Sequence, residues 1–289
     1  MSKIKTVLVI GSNGQLGNEI RFLAKFHKRL NFIFTGKNDI DITRFDEVFQ
    51  YFKSTKPEYC INCAAYTAVD MAEDETEKAY IINEKAVGNL ASCCFDFNST
   101  FYHISTDFVF DGTHYLPYTE EDVPNPLSVY GKSKLAGEIK AASINSKTVI
   151  IRTSWLYSTF GNNFVKTMLK LGSTKDELGV VFDQVGTPTY ARELAKVLME
   201  MIHAGYAADN PNRVLNFSNE GVASWYDFAH EIFTMKGIKI KLNPIHSYEY
   251  ITKAVRPHYS VLDKKKIKNS LGLTIPHWKD SLKECLMEI

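Results

Sequence analysis

Tyr130 and Lys134 stand four residues apart in Tyr130-Gly131-Lys132-Ser133-Lys134, where a helical pattern opens. That spacing puts both side chains on one helix face, one turn apart. A free phenol has a pKa of about 10, and a nearby ammonium lowers it by favouring the phenolate. Such a phenol is a better proton donor near neutral pH. Upstream, Ser105-Thr106-Asp107-Phe108 ends the apolar run Thr100-Phe101-Tyr102-His103-Ile104, which reads as a buried strand. The Thr106 hydroxyl could share a carbonyl oxygen with Tyr130. The tyrosine–lysine spacing alone also arises by chance, so its meaning rests on the elements around it.

Thr6-Val7-Leu8-Val9-Ile10 is a continuous apolar run suited to a parallel strand covered on both faces. It leads directly into Gly11-Ser12-Asn13-Gly14-Gln15-Leu16-Gly17 and then a helix with Leu16, Ile20, Leu23 and Ala24 on one side. Strand, glycine turn and helix together read as a dinucleotide site. Gly11 permits the tight turn, Gly14 lets a pyrophosphate approach the helix N-terminus, and Gly17 allows close helix packing. Asn31–Thr35 reads as the second strand. Gly36-Lys37-Asn38 follows it in place of a carboxylate, so Lys37 leans the site toward NADPH, while Asp39 and Asp41 leave NADH open. Thr43 reads as the N-cap of a helix through Phe52. Tyr59–Asn62 is the third strand, and Ala64 and Ala65 beyond it let a cofactor lie close to the backbone. Glu73 to Glu77 opens a helix to about Cys94, with carboxylates that suit its dipole. Thr148–Arg152 is the fifth strand, with Trp155 past its carboxyl end as either a cap on the core or a wall against a sugar ring. The pattern predicts an α/β fold: a Rossmann-type doubly wound parallel sheet over residues 1–157, joined by later segments. A smaller C-terminal α/β substrate-binding domain is expected over 158–289.

Past Tyr157 the pattern predicts helices over 161–171, 192–203 and 225–235 and a short strand at Val180-Val181-Phe182. Arg256 lies in a loop, either as a cation for a diphosphate or as an exposed side chain. His114 reads as a loop residue, and Lys264-Lys265-Lys266 as a solvated face. The five cysteines, Cys60, Cys63, Cys93, Cys94 and Cys285, read as reduced core thiols. The net charge is +1, which points to neither nucleic acid nor an anionic membrane surface. No apolar run is long enough for a membrane span. Met1-Ser2-Lys3-Ile4-Lys5 leads into a strand rather than a signal peptide, which predicts a cytoplasmic protein.

Seven segments together resemble the extended short-chain dehydrogenase/reductases and, within them, the dTDP-4-dehydrorhamnose reductase family. They are Gly11–Gly17, the stretch from Asn62 to Asp70, Ser105–Phe110, Tyr130 with Lys134, Arg152–Tyr157, Gly161–Phe164, and Arg256-Pro257. The resemblance implies reduction of the C4 ketone of a 6-deoxy-4-keto sugar nucleotide by NAD(P)H. It implies Tyr130 as proton donor, Lys134 as its partner and ribose ligand, and Thr106 completing the triad. It implies Gly14, Gln15, Leu16, Asp41, Ile42, Ala64, Ala65 and Thr67 along the cofactor, and Asp107 and Trp155 on the sugar nucleotide. Phe108 departs from the tyrosine many members carry. Some members dimerise through magnesium, for which Glu19, Glu193 and Glu288 are the counterparts; no metal ligand is predicted here, and a homodimer is left open.

Phe108 also argues against a 4,6-dehydratase, which needs a carboxylate at that position for elimination. A 4-epimerase and a non-catalytic regulatory subunit, like that of methionine adenosyltransferase, remain as alternatives; the intact Thr106, Tyr130 and Lys134 favour an enzyme.

Overall fold

The computed structural model describes residues 4–206 and 213–289. Met1, Ser2 and Lys3, at the head of the segment read above as lacking a signal peptide, lie outside the described residues. The apolar runs become β1 (Lys5–Ile10), β2 (Leu30–Thr35), β3 (Tyr59–Asn62), β4 (Thr100–Thr106) and β5 (Thr148–Thr153). With Val214–Asn216 they form a six-stranded sheet in the order β2, β1, β3, β4, β5, then 214–216. Every neighbouring pair is parallel. The chain turns back between β1 and β3, and ligands of such sheets bind outside the strands' carboxyl ends at that reversal.

Side chains on alternate strand positions feed two cores. Val7, Val9, Ile61, Tyr102 and Ile151 face α1 (Gln15–Ala24) and the helix Ala191–Ala204. Leu8, Ile10, Cys60 and Phe101 face α2 (Phe45–Thr55), Ala86–Asp96 and Val129–Ile144. Burying each such side chain contributes roughly 1.5–3 kcal/mol before entropy is counted. A further core gathers Tyr157, Val165, Tyr190, Phe228, Trp278 and Leu282 from the later helices. Four of the cysteines are buried, Cys63 is half-buried, and all five are free.

Several expectations need correction. Val214–Asn216 is a strand that the apolar pattern does not predict: three residues form too short a run to stand out. The strand expected over 180–182 is Glu177–Val181, set by parallel pairing with Lys241–Ile245. The helix expected from Glu73 is broken into Val69–Ala72, Thr76–Tyr80, a π-helical turn Ile81–Lys85, and Ala86–Asp96. Thr43 is not an N-cap: Asp41 accepts from its amide and hydroxyl at 3.0 and 2.7 Å, and α2 begins after Arg44. Lys264 is buried against Glu220, 3.5 Å away, not solvated.

Candidate active site

The helix Val129–Ile144 starts at Ser128, whose hydroxyl accepts from the Gly131 amide at 3.1 Å. Two glycines let it press inward. A Cβ on Gly131 would lie 2.2 Å from the Phe108 carbonyl, and one on Gly137 2.0 Å from the Asn83 carbonyl. Real side chains do not tolerate such contacts, so the helix can sit this close only with glycine there. The approach brings Tyr130 up to the end of β4. Phe108 meets its ring edge-on, with centroids 5.6 Å apart.

Thr106, Asp107, Tyr130 and Lys134 are all buried. The Thr106 hydroxyl donates to Asp107 Oδ1 at 3.1 Å and accepts from the Phe108 amide at 3.3 Å. Burial pushes the Tyr130 phenol up to about 12; the Thr106 hydroxyl acts against that rise, and the Asp107 charge adds to it. This corrects the expectation that Lys134 draws the phenol down. The Lys134 ammonium donates instead to the Ile104 carbonyl at 2.6 Å. Burial pushes Lys134 down to about 8, opposed mainly by the charge of Glu138. Burial also raises the Asp107 carboxyl to about 6, with the Ser260 and Thr106 hydroxyls acting against it. Asp107 Oδ2 and Thr153 Oγ1 are buried without a hydrogen-bond partner. Buried polar atoms are rarely left so, and these two suit a polar ligand at the ends of β4 and β5.

The glycine turn fits a dinucleotide. Gly11 has φ +73°, and a Cβ on it would strike the Ala64 amide nitrogen at 2.6 Å, so this turn abuts the exit of β3. Gly17 packs on Ser12, 2.4 Å from where its Cβ would be. At Gly14 a Cβ would meet only the Gly11 carbonyl, at 3.3 Å, and no side chain caps the start of α1. That end is therefore open to a phosphate, which its free amides and dipole attract. Gln15 and Leu16 can serve a cofactor only through backbone. The Gln15 side chain bonds the Leu156 carbonyl (3.4 Å) and Asn163 (3.0 Å), and Leu16 is buried in the core. Ala64 and Ala65 are half-buried and Thr67 is exposed at the same edge. Ile42 packs partly into the core. Asp39 accepts from the Gly36 amide at 2.7 Å, and Asp41 is held by Thr43, its carboxyl lowered by those hydrogen bonds. Both carboxylates thus fold back on their own loop, and Lys37 stays exposed beside them.

Trp155 sits just past β5 with φ +47°, a conformation bulky residues rarely adopt. Its ring lies 3.5 Å from Trp225, nearly parallel at 7°. One face of the ring caps the later core, and the ring as a whole is half-buried. Arg256 is neither free nor fully exposed; it pairs with Asp70 at 2.7 Å. His114 remains a loop residue, its ring bonded to the Leu116 carbonyl at 3.1 Å. Glu19 and Glu288 meet on one guanidinium, that of Arg192, and Glu193 pairs with Lys196 at 2.7 Å. Among the described residues no group of three or more His, Cys, Asp or Glu side chains could hold a metal ion.

Sequence reasoning missed Asn83. From the π-helical turn its side chain accepts from the Tyr66 amide (2.8 Å) and donates to the Tyr66 carbonyl (3.1 Å) and to Ser133 (3.0 Å). It ties the small-residue edge after β3 to the Tyr130 helix. An isolated asparagine within a helical pattern carries no signal for this.

The profile of the RmlD substrate binding domain family matches residues 5–289. The chain is 40% identical to a dTDP-4-dehydrorhamnose reductase of Aggregatibacter actinomycetemcomitans, over 96% of this chain and 97% of that one. It is 36% identical to the Escherichia coli protein of the same name, over 98% and 97%. A Clostridium acetobutylicum dTDP-4-dehydrorhamnose reductase structure superposes with TM-score 0.93 at 43% identity, covering 98% of each chain. The Bacillus anthracis enzyme in complex with NADP gives 0.95 at 35%, covering 99% of this chain and all of that one.

Proposed function

The chain belongs to the RmlD family, and from that premise we propose that it reduces the C4 ketone of dTDP-4-dehydro-6-deoxy-L-mannose to dTDP-L-rhamnose. The product would serve nucleotide-sugar supply for cell-surface polysaccharide. The observation that carries this reading is the gathering of buried Thr106, Tyr130 and Lys134 at the carboxyl end of β4, in a sheet whose first helix α1 has an uncapped N-terminus.

NADPH is the expected cofactor, from the exposed Lys37 and from Asp39 and Asp41, whose carboxylates are engaged by their own loop. Gly14, with the backbone of Gln15 and Leu16, would hold its diphosphate, Ala64, Ala65 and Thr67 its flank, and Lys134 its ribose. When bound, the nicotinamide supplies the hydride that the ketone carbon gains. Tyr130 gives its phenolic proton to the ketone oxygen and is reprotonated from solvent. The Thr106 hydroxyl holds the same oxygen, so charge developing there meets two donors. Asp107, Trp155 and Arg256 would bind the sugar nucleotide, and the later core around Tyr157 and Phe228 would form the wall of that half of the cleft. No described helix is long and apolar enough to cross a membrane.

The test mixes the protein with the keto sugar nucleotide, generated in place, and follows NADPH absorbance. Loss of absorbance with dTDP-L-rhamnose as product, abolished in Tyr130→Phe, is expected. NADPH binding with no reduction of any keto sugar in a panel would overturn the reading.

A further inference from the structure

One turn beyond Lys134 on the same helix lies Glu138, 2% exposed. Its carboxylate is fully engaged. Ser105 Oγ donates to Oε1 at 2.5 Å. Arg152 donates through Nε at 3.1 and 3.2 Å and through Nη2 to Oε2 at 2.7 Å. Arg152 is itself 4% exposed. The three partners come from three elements. Ser105 immediately precedes Thr106 on β4, Arg152 stands three residues before Trp155 on β5, and Glu138 follows Lys134 by four on the helix.

A buried ion pair is a poor way to gain stability, since desolvation offsets much of the attraction. Apolar side chains would join these elements as well. What they would not do is fix the strand ends in register with the helix, or place a negative charge one turn from Lys134. Cβ atoms four apart on a helix lie about 6 Å from each other. The other titratable groups facing Lys134 are Tyr130 one turn before it, whose phenol burial pushes up to about 12, Cys63 beyond β3 and His103 on β4. Burial holds His103 well below its usual range and pushes the Cys63 thiol up, so both are neutral. Glu138 is thus the one carboxylate facing Lys134 among the described residues.

We propose that Glu138 is a positioning residue of the reductase site: clamped by Ser105 and Arg152, it aligns the ends of β4 and β5 with the Tyr130 helix and supplies the buried counter-charge for Lys134. The proposal deepens the reading of the site as a reductase and rests on it for its kinetic part.

The direct measurement is the titration of Lys134, followed by the 13Cε signal of labelled lysine and identified by its loss in Lys134→Met. Glu138→Gln leaves Arg152 buried without a counter-charge, and that variant can fail to fold. The paired variant Glu138→Gln/Arg152→Gln removes both charges and keeps the chain foldable. In it the Lys134 midpoint is expected about one pH unit lower than in Arg152→Gln, which lacks the same guanidinium but keeps the Glu138 charge. The alkaline limb of the kcat profile is expected to move with it while KM stays within about twofold. Glu138→Asp should restore most of the midpoint. Ser105→Ala removes a clamp and no charge, so it should lower kcat about tenfold with the midpoint unmoved. A folded paired variant with the midpoint and limb of Arg152→Gln overturns the counter-charge role, and parent-like kcat in Ser105→Ala overturns the clamp. If the parent reduced no keto sugar, the reductase reading would fail, while the lysine titration would still decide the charge role of Glu138.

Discussion

Replacing Asp70 by asparagine should tighten, not weaken, the grip on the sugar nucleotide. Arg256 Nη2 lies 2.7 Å from Asp70 Oδ2, and the side chains are 26% and 41% exposed. A pair so exposed to water is worth about 0–1 kcal/mol. If Arg256 is to meet a diphosphate, it must first leave Asp70, and that cost is subtracted from binding. Asparagine keeps an oxygen for the Ala254 amide, which Asp70 Oδ1 accepts at 3.1 Å, so the loop should stay in place. Only the competing charge is lost. Since 1.4 kcal/mol is tenfold in an equilibrium, the gain should reach about fivefold at most. Calorimetric titration with dTDP-L-rhamnose in the presence of NADPH measures it. Arg256→Ala in the same assay should bind more weakly than the parent. Weaker binding by Asp70→Asn would refute the reasoning, because it would mean that Asp70 orients Arg256 in the complex rather than competing for it.

Tyr130→Phe should lower kcat by about 10²- to 10⁴-fold with unfolding and NADPH binding unchanged, checked by steady-state kinetics beside a thermal melt. Gly11→Ala combines φ +73° with a 2.6 Å approach to Ala64; thermal unfolding should show a loss of at least about 2 kcal/mol, with NADPH affinity falling alongside. Gly186→Ala would put a methyl 2.8 Å from the Trp155 ring, so KM for the sugar nucleotide should rise while the dissociation constant of NADPH holds. The pH dependence of stability has a definite sign at Asp107. Its folded carboxyl titrates near 6, above an ordinary value of 3.8, so between those pH values the folded state holds a proton that the unfolded state has lost. Its contribution to stability therefore falls as pH rises from about 4 to 6, by roughly 3 kcal/mol in total. Urea unfolding at pH 4 and pH 7 should show a smaller fall for Asp107→Asn than for the parent.

Five of the six sheet strands were legible because each is a largely apolar run, buried on both faces in β3, β4 and β5 and only partly buried in the edge strand β2, and Gly11–Gly17 was legible because strand, turn and helix punctuate it. Thr106, Tyr130 and Lys134 were legible from helix spacing and from resemblance. Their electrostatics were not: spacing places Lys134 near Tyr130 but does not reveal that the Ile104 carbonyl holds its ammonium, nor that burial dominates the phenol. The Ser105–Glu138–Arg152 clamp joins residues 33 and 14 positions apart, a pattern without sequence period. Asn83 was hidden for the opposite reason: the π-helical turn that aims it looks like ordinary helix in sequence.

The sheet's composition also sets a timetable for making the protein. The face formed by Val7, Val9 and Ile61 is covered in part by Leu194, Leu198 and Ile202, of which Leu194 lies 187 residues after Val7. At synthesis rates of about 5–20 residues per second, that cover reaches the exit of the ribosome roughly 10–40 s after the first strand. The strand Val214–Asn216, which closes the β5 edge, emerges later still. Throughout that interval the nascent chain carries an apolar face covered only in part, by α1, and an unpaired parallel edge. Newly made protein should therefore depend on chaperones far more than full-length protein refolded from denaturant.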